Sequence, residues 1–310
     1  MKLFICFTPL HVLISEKIIK KEEITEYLFV YFTDLDSDKN RFYFDKLSIN
    51  AIESYYILLK KSLFKDIFTL LKLFQKLKKY KELIYYSGKI KSFHNRFLMH
   101  LTGYKDYITF DDGSGNISNA GYFYEENENI LFKIFFTFFN KKLLYKNIKV
   151  SNQLHYTIFD LPNVFQNIKL ISLFNKKELT RKNNFPKITI LLTNAFAEDR
   201  EMSLDEEVSL YSKIIDEYNI SHIIKHPREK FPKIDNSTII EIVDIKIAEE
   251  KILELLKEYN ITVIGIYSTV LLNLMGYDGL KLINIDVSLK KPVKTLRKLL
   301  ERYGIENKIF

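Results

Sequence analysis

The 310 residues include no tryptophan, a single cysteine and only nine glycines. The lone cysteine, Cys6, excludes an intrachain disulfide and a cysteine-rich metal site. It sits in the apolar run 3–7, where packing within a strand is its expected role. No stretch reaches the roughly 18 uninterrupted apolar residues of a spanning helix. The apolar start, residues 2–14, is short, holds Pro9 and His11, and lacks a signal-peptide cleavage pattern and an N-terminal apolar anchor. A cytoplasmic protein is expected, with any membrane contact peripheral. The sequence has no RNP pattern, no zinc-finger spacing and no recognition helix, so nucleic acid is not an expected partner. The net charge of +8 still favours anionic ligands, phosphate-bearing substrates among them.

What is present is a globular balance, 47% hydrophobic and 28% charged. The length suffices for two ordinary domains with sizeable cores. Short apolar runs bounded by polar residues alternate with helical patterns. Residues 3–7, 27–32, 55–58, 83–86 and 107–110 read as strands, and so do 155–159, 188–192, 222–224, 238–242, 261–266 and 281–285. Such βα alternation predicts an α/β protein with parallel sheets clothed by helices. The polar stretch 175–184 reads as a linker, dividing the chain into domains 1–180 and 181–310. The aromatic and basic segment 123–146 is expected to pack mainly as a buried helix, with an interface or membrane-surface face as the alternative.

Chemistry should gather at the strand exits, because open α/β sheets bind ligands beyond the carboxyl ends of their strands. Strand 188–192 runs into a loop carrying Glu198, Asp199, Arg200 and Glu201. Strand 222–224 ends in Lys225-His226-Pro227-Arg228, which should bring Asp199 and His226 into one crevice. Strand 107–110 feeds Asp111-Asp112-Gly113-Ser114-Gly115-Asn116. These are either a site loop or a turn whose aspartates cap backbone N–H groups. Strand 261–266 ends in Tyr267-Ser268-Thr269 just before a helix, which suits a phosphate but equally suits ordinary capping. The acidic pair Asp111-Asp112 lacks the Asp-x-Asp spacing of a metal-binding transferase loop.

Two Rossmann-like halves suggest the GT-B plan, with the active site in the cleft between the domains. The segments Phe110 to Asn116, His155 to Phe159, Leu191-Leu192 with Asp199 to Met202, His226-Pro227-Arg228 and Tyr267-Ser268 occur in one order. Together with the opening Leu3 to Leu10, they resemble the bacterial sialyltransferases of glycosyltransferase family 52, which build lipooligosaccharide and capsule termini. The resemblance covers nearly the whole chain. It implies an inverting transfer of sialic acid from CMP-sialic acid to a terminal galactose of a bacterial surface glycan, in α2,3 linkage, with no metal or other cofactor.

By position, Asp199 matches the family's catalytic base and His226 its catalytic acid or phosphate partner. Glu198 stands as an alternative base, and so do Asp111 and Asp112, since related sialyltransferase families place the base in the Asp-Asp-Gly motif. The donor is expected to be held by His226, Pro227, Arg228, Tyr267, Ser268 and Thr269, and the acceptor by Asp112, Gly113 and Ser114. Relatives suggest a homodimer, with its interface near Phe135. The alternatives are a GT-B enzyme using another nucleotide sugar, such as a glucosyltransferase, or a non-catalytic protein that binds anionic polysaccharide.

Overall fold

In the computed structural model the alternation resolves into two parallel sheets. The structure describes all residues except 61, 118–123, 125–127, 175–184 and 290–293. The linker expected at 175–184 therefore lies outside the described residues. The chain divides into two compact units, Met1–Leu173 and Phe174–Phe310.

The first unit carries β1 (Lys2–Cys6), β2 (Tyr27–Thr33), β3 (Glu53–Leu58), β4 (Ile84–Ser87), β5 (Asp106–Phe110), β6 (His155–Thr157) and β7 (Ile168–Leu170). Their spatial order is β3-β2-β1-β4-β5-β6-β7, every neighbouring pair parallel. All seven residues of β2 are buried, as a strand covered on both faces requires. The intervening helices are α1 (Pro9–Lys21), α2 (Asp38–Ser48), α3 (Leu63–Leu77), α4 (Phe93–Thr102), α5 (Ile130–Phe139) and α6 (Tyr145–Ser151), with a 3₁₀ turn at Lys141–Leu143. One core layer joins Leu3 and Ile5 of β1 to Leu70 and Leu73 of α3, Phe93 and Phe97 of α4 and Phe136 of α5. Those three helices therefore cover the same face of the sheet.

The second unit repeats the plan with β8 (Lys187–Leu192), β9 (His222–Ile224), β10 (Ile240–Glu241), β11 (Asn260–Gly265), β12 (Leu280–Asp286) and β13 (Glu306–Ile309). Their order is β10-β9-β8-β11-β12-β13, again all parallel. Its helices are α7 (Leu204–Tyr218), α8 (Ala248–Leu255), α9 (Thr269–Asn273) and α10 (Lys294–Arg302). Helix α7 begins with a full capping box, Ser203 and Glu206 each bonding the other's backbone N–H. In both units the first strand is central and the order reverses beside it, which is the Rossmann arrangement expected from the sequence.

Three local expectations are corrected. Helix α1 starts at Pro9 rather than Val12, because Thr8 caps it and proline suits a first helical turn. The strand expected over 238–242 shrinks to two residues, and β7 and β13 are additional edge strands. Helix α5 is not a buried helix: Phe136 is its one buried residue, whereas Ile130 and Phe138 are 70% and 81% exposed.

Candidate active site

The strand order reverses between β8 and β11 in the second unit and between β1 and β4 in the first. Those are the positions where loops leave a sheet in opposite directions and open a crevice. The loops bearing Asp199 and Tyr267-Ser268-Thr269 leave β8 and β11 at the second unit's switch point, whereas Asp111-Asp112 leaves β5, one strand away from the first unit's.

In the second unit, β8 and β9 are neighbours, so the loops after them lie side by side. Arg228 joins the two. Its guanidinium pairs with Asp199 at 2.6 Å, and its backbone N–H donates to His226 Nδ1 at 3.2 Å. With Nδ1 accepting, the ring proton of neutral His226 resides on Nε2. Burial, and next the charge of Arg228, push the His226 pKa below its ordinary 6.5, with Asp199 opposing them. The imidazole is thus neutral at pH 7 and presents an N–H donor. Its own backbone N–H is held by Glu229 at 2.8 Å and Thr193 Oγ1 at 3.3 Å. Pro227 follows on the exposed outer turn.

Glu198 faces a different way from Asp199. Its carboxylate accepts from the Lys230 amide at 2.7 Å and pairs with Lys233 Nζ at 2.8 Å. Burial alone would raise its pKa, but the Lys230 amide and the Lys233 ammonium outweigh it and hold the group at about 2. Lys233 is itself buried, bonding Glu207 at 2.9 Å and the Asn194 carbonyl at 2.8 Å. Glu207 in turn accepts the amides of Phe196 and Ala197 at 3.3 and 2.9 Å. A buried Glu198–Lys233–Glu207 group therefore fixes the loop that presents Asp199. Nothing in the sequence pattern singled out Lys233.

The third exit lies beside these. Tyr267 takes a left-handed backbone, φ 49°, and donates its N–H to Asn284 at 2.7 Å. Its hydroxyl bonds Asp286 and the Val287 carbonyl, so burial and that carboxylate raise its pKa. Ser268 caps the five-residue α9 by accepting from the Val270 N–H at 3.3 Å. An accepting cap leaves the hydroxyl proton free to donate elsewhere.

In the first unit the Asp-Asp pair splits into two environments. Asp111 is fully buried and accepts from His155 Nε2 at 2.8 Å, Asn116 at 2.7 Å, Thr157 Oγ1 at 3.0 Å and the Ile158 amide at 2.6 Å. Its lone pairs are committed to tying the loop to β6. Asp112 instead bonds His11 Nε2 at 2.9 Å. Burial raises the Asp112 pKa, but His11 and Lys89 more than offset it and hold the carboxyl below its ordinary 3.8. The His11 Nδ1 accepts from the Phe7 amide at 3.3 Å, leaving Nε2 with the proton for Asp112. Gly88 makes room for that ring, since a Cβ there would stand 2.8 Å from Nε2. Gly113 follows at φ 66°, where a side chain would be strained, and Ser114 continues the turn. Asp112 lines a cavity of about 580 Å³ with Phe7, Asp34, Lys89, His94 and Phe132. His11 was the residue the motif reading overlooked, although Thr8-Pro9-Leu10-His11 stands at the first strand's exit.

The profile of glycosyltransferase family 52 matches residues 25–289. The chain belongs to glycosyltransferase family 52. It is 26% identical over 306 residues to a CMP-N-acetylneuraminate:β-galactoside α-2,3-sialyltransferase of Pasteurella multocida, covering 94% of this chain and 93% of the relative. It is 25% identical over 297 residues to an N-acetyllactosaminide α-2,3-sialyltransferase of Haemophilus influenzae, 94% of each chain being covered. Among solved structures, UDP-GlcNAc 2-epimerase of Methanocaldococcus jannaschii with UDP-GlcNAc and UDP superposes with a TM-score of 0.60 at 16% identity, over 100% of this chain and 89% of that one. At that identity the likeness concerns the fold, and this family 52 chain has the two-domain, Rossmann-like GT-B fold.

No three His, Cys, Asp or Glu side chains converge to hold a metal ion among the described residues. Asp-x-Asp spacing does occur elsewhere, at Asp34, Asp36 and Asp38. There Asp36 is spent on Arg41 at 2.6 Å, and Asp38 opens α2. No described helix is long and apolar enough to cross a membrane.

Proposed function

We propose that this family 52 enzyme transfers sialic acid from CMP-sialic acid to the galactose of a bacterial surface glycan, with inversion and in α2,3 linkage. The reading is carried by the near full-length alignment with two α-2,3-sialyltransferases. The second unit, with His226, Pro227, Arg228, Tyr267, Ser268 and Thr269, holds the CMP moiety. The first unit, through Asp112, Gly113 and Ser114, holds the acceptor. In a single displacement the Asp199 carboxylate takes the proton of the attacking galactose hydroxyl. That oxygen bonds to the anomeric carbon as the bond to the CMP phosphate breaks. The His226 Nε2–H donates to the phosphate oxygen that gains charge as CMP leaves. The reading includes a homodimer and peripheral membrane contact, neither of which the chemical step requires.

A second assignment of the base has its own supporting observation. Asp112 is held ionised by His11 in the lining of the first unit's cavity, which a proton acceptor near an acceptor sugar would need.

Incubation with CMP-sialic acid and lactose, followed by product analysis, tests the reaction. Sialyllactose is expected. Its absence, with transfer from a UDP-sugar instead, would replace the donor. The same assay with excess EDTA should retain activity, because no metal-binding group is proposed to act. Abolition by the chelator and rescue by manganese or magnesium would overturn that point.

Replacing Ser268 and Thr269 by alanine should weaken CMP binding by about 1–3 kcal/mol, the range for hydrogen bonds to a charged group. Calorimetry reads this directly. Unchanged affinity would leave the two hydroxyls as helix caps only.

A further inference from the structure

We propose that the outward faces of α3 and α5 form a docking surface for an anionic lipid bilayer. This deepens the peripheral membrane contact in the reading above by naming its surface, and it does not depend on which sugar is transferred.

Helix α3 buries Leu70, Leu73 and Leu77 and turns Phe64 and Phe68 outward, 71% and 53% exposed. Their rings meet edge to face at 5.0 Å, as a continuous apolar stripe at helical spacing. Helix α5 is anchored by Phe136, over which the buried Arg96 guanidinium lies at 4.6 Å. Its opposite stripe, Ile130, Ile134 and Phe138, is 50–81% exposed. Both helices pack on α4, since α4's Phe93 meets α5's Phe135 edge to face and Phe97 meets it at a tilt, while α3 shares their core layer. Large apolar side chains exposed in stripes on two helices that both pack on α4 mark an interaction site rather than ordinary surface.

The charges identify the partner. Lys65, Lys72 and Lys76 stand exposed on α3, and Lys133, Lys141 and Lys142 on α5 and the turn after it. The single carboxylate of the two helices, Asp66, is buried and bonded to His94 at 3.1 Å. Aromatic residues set among lysines, with no exposed acid on either helix, suit the interface of an anionic bilayer. A second copy of this chain, which the expected dimer interface near Phe135 would place here, suits it poorly, because a two-fold pairing would bring two lysine-rich faces of like charge together. The position is useful as well. Asp66 of α3 and Phe132 of α5 line the same cavity as Asp112, so a bilayer on this face would lie beside the proposed acceptor pocket.

The test is flotation of the full chain with phosphatidylcholine vesicles, with and without roughly a third phosphatidylglycerol. The wild type should float with the anionic vesicles, less so at high salt, and not with the neutral ones. The double variants Phe68→Ser/Phe138→Ser and Lys72→Glu/Lys133→Glu should each lower binding by about tenfold or more. Both should keep wild-type transfer to lactose without vesicles, which shows that they fold. A wild type that stays with the pellet, or variants that float equally well, would overturn the surface. So would variants that dissociate a dimer while vesicle binding persists, since a second copy would then be what covers the face. Failure to sialylate lactose would sink the proposed reaction and leave the flotation result standing.

Discussion

Asp199→Asn should lower kcat by about 10²- to 10⁴-fold while CMP affinity stays nearly intact. A general base acts mainly in the transition state, so its loss falls on the chemical step rather than on ground-state binding. Folding should hardly change. The ion pair with Arg228 is solvent-exposed on both sides, and such pairs are worth at most about 1 kcal/mol. His226→Ala should behave differently and harm both kcat and donor binding, because its Nε2–H is proposed to meet the phosphate before and during departure. Asp112→Asn is the matched control. If Asp112 and its His11 partner serve the acceptor, their loss should appear chiefly in the acceptor KM. Circular dichroism and the kcat and both KM values of the three variants decide the matter. Near-normal kcat in Asp199→Asn, with abolition in Asp112→Asn, would move the base to the first unit and leave the reaction itself unchanged.

The contrast between these carboxylates was only partly readable from the sequence. Strand exits are announced by apolar runs that end in polar residues, so Asp199, His226, Asp111 and Asp112 all stood out. What surrounds each carboxylate depends on contacts between distant segments. Asp111 and Asp112 are adjacent in the chain, yet one is enclosed by Asn116, His155 and Thr157 and the other bonds His11 across 101 positions. Likewise Glu198 and Asp199 differ because one meets Lys233 and the other Arg228. Periodicity carries no information about such pairings. It was also silent on β7 and β13, which are short edge strands without a continuous apolar run. For α5, aromatic content reads as burial. Content alone does not say which side of a helix the sheet covers.

Lys233→Met should destabilise the fold by about 3–5 kcal/mol, the cost of leaving buried charges without their partner. The side chain is buried and joins Glu207, which is fully enclosed, and Glu198, whose side chain is 8% exposed. A loss of that size is a large part of the ~5–15 kcal/mol that holds a typical domain together. Adding Glu207→Gln to Lys233→Met should recover part of it, because one stranded charge is removed; the non-additivity measures the coupling. The acid limb carries a separate signature. In the folded chain Glu198 titrates at about 2 rather than its ordinary 4.5. A depressed folded-state pKa stabilises fully above the ordinary value and loses that contribution as pH falls toward 2. Without Lys233 the Glu198 carboxyl should titrate higher, so acid unfolding should begin at a higher pH than in the wild type. Urea unfolding at pH 7 and a pH titration followed by circular dichroism read the two effects independently. A loss below about 1 kcal/mol with an unshifted acid transition would mean that the loop bearing Asp199 does not rest on this buried group but on other contacts, such as the 2.7 Å bond that the Asn194 N–H donates to the Tyr211 hydroxyl.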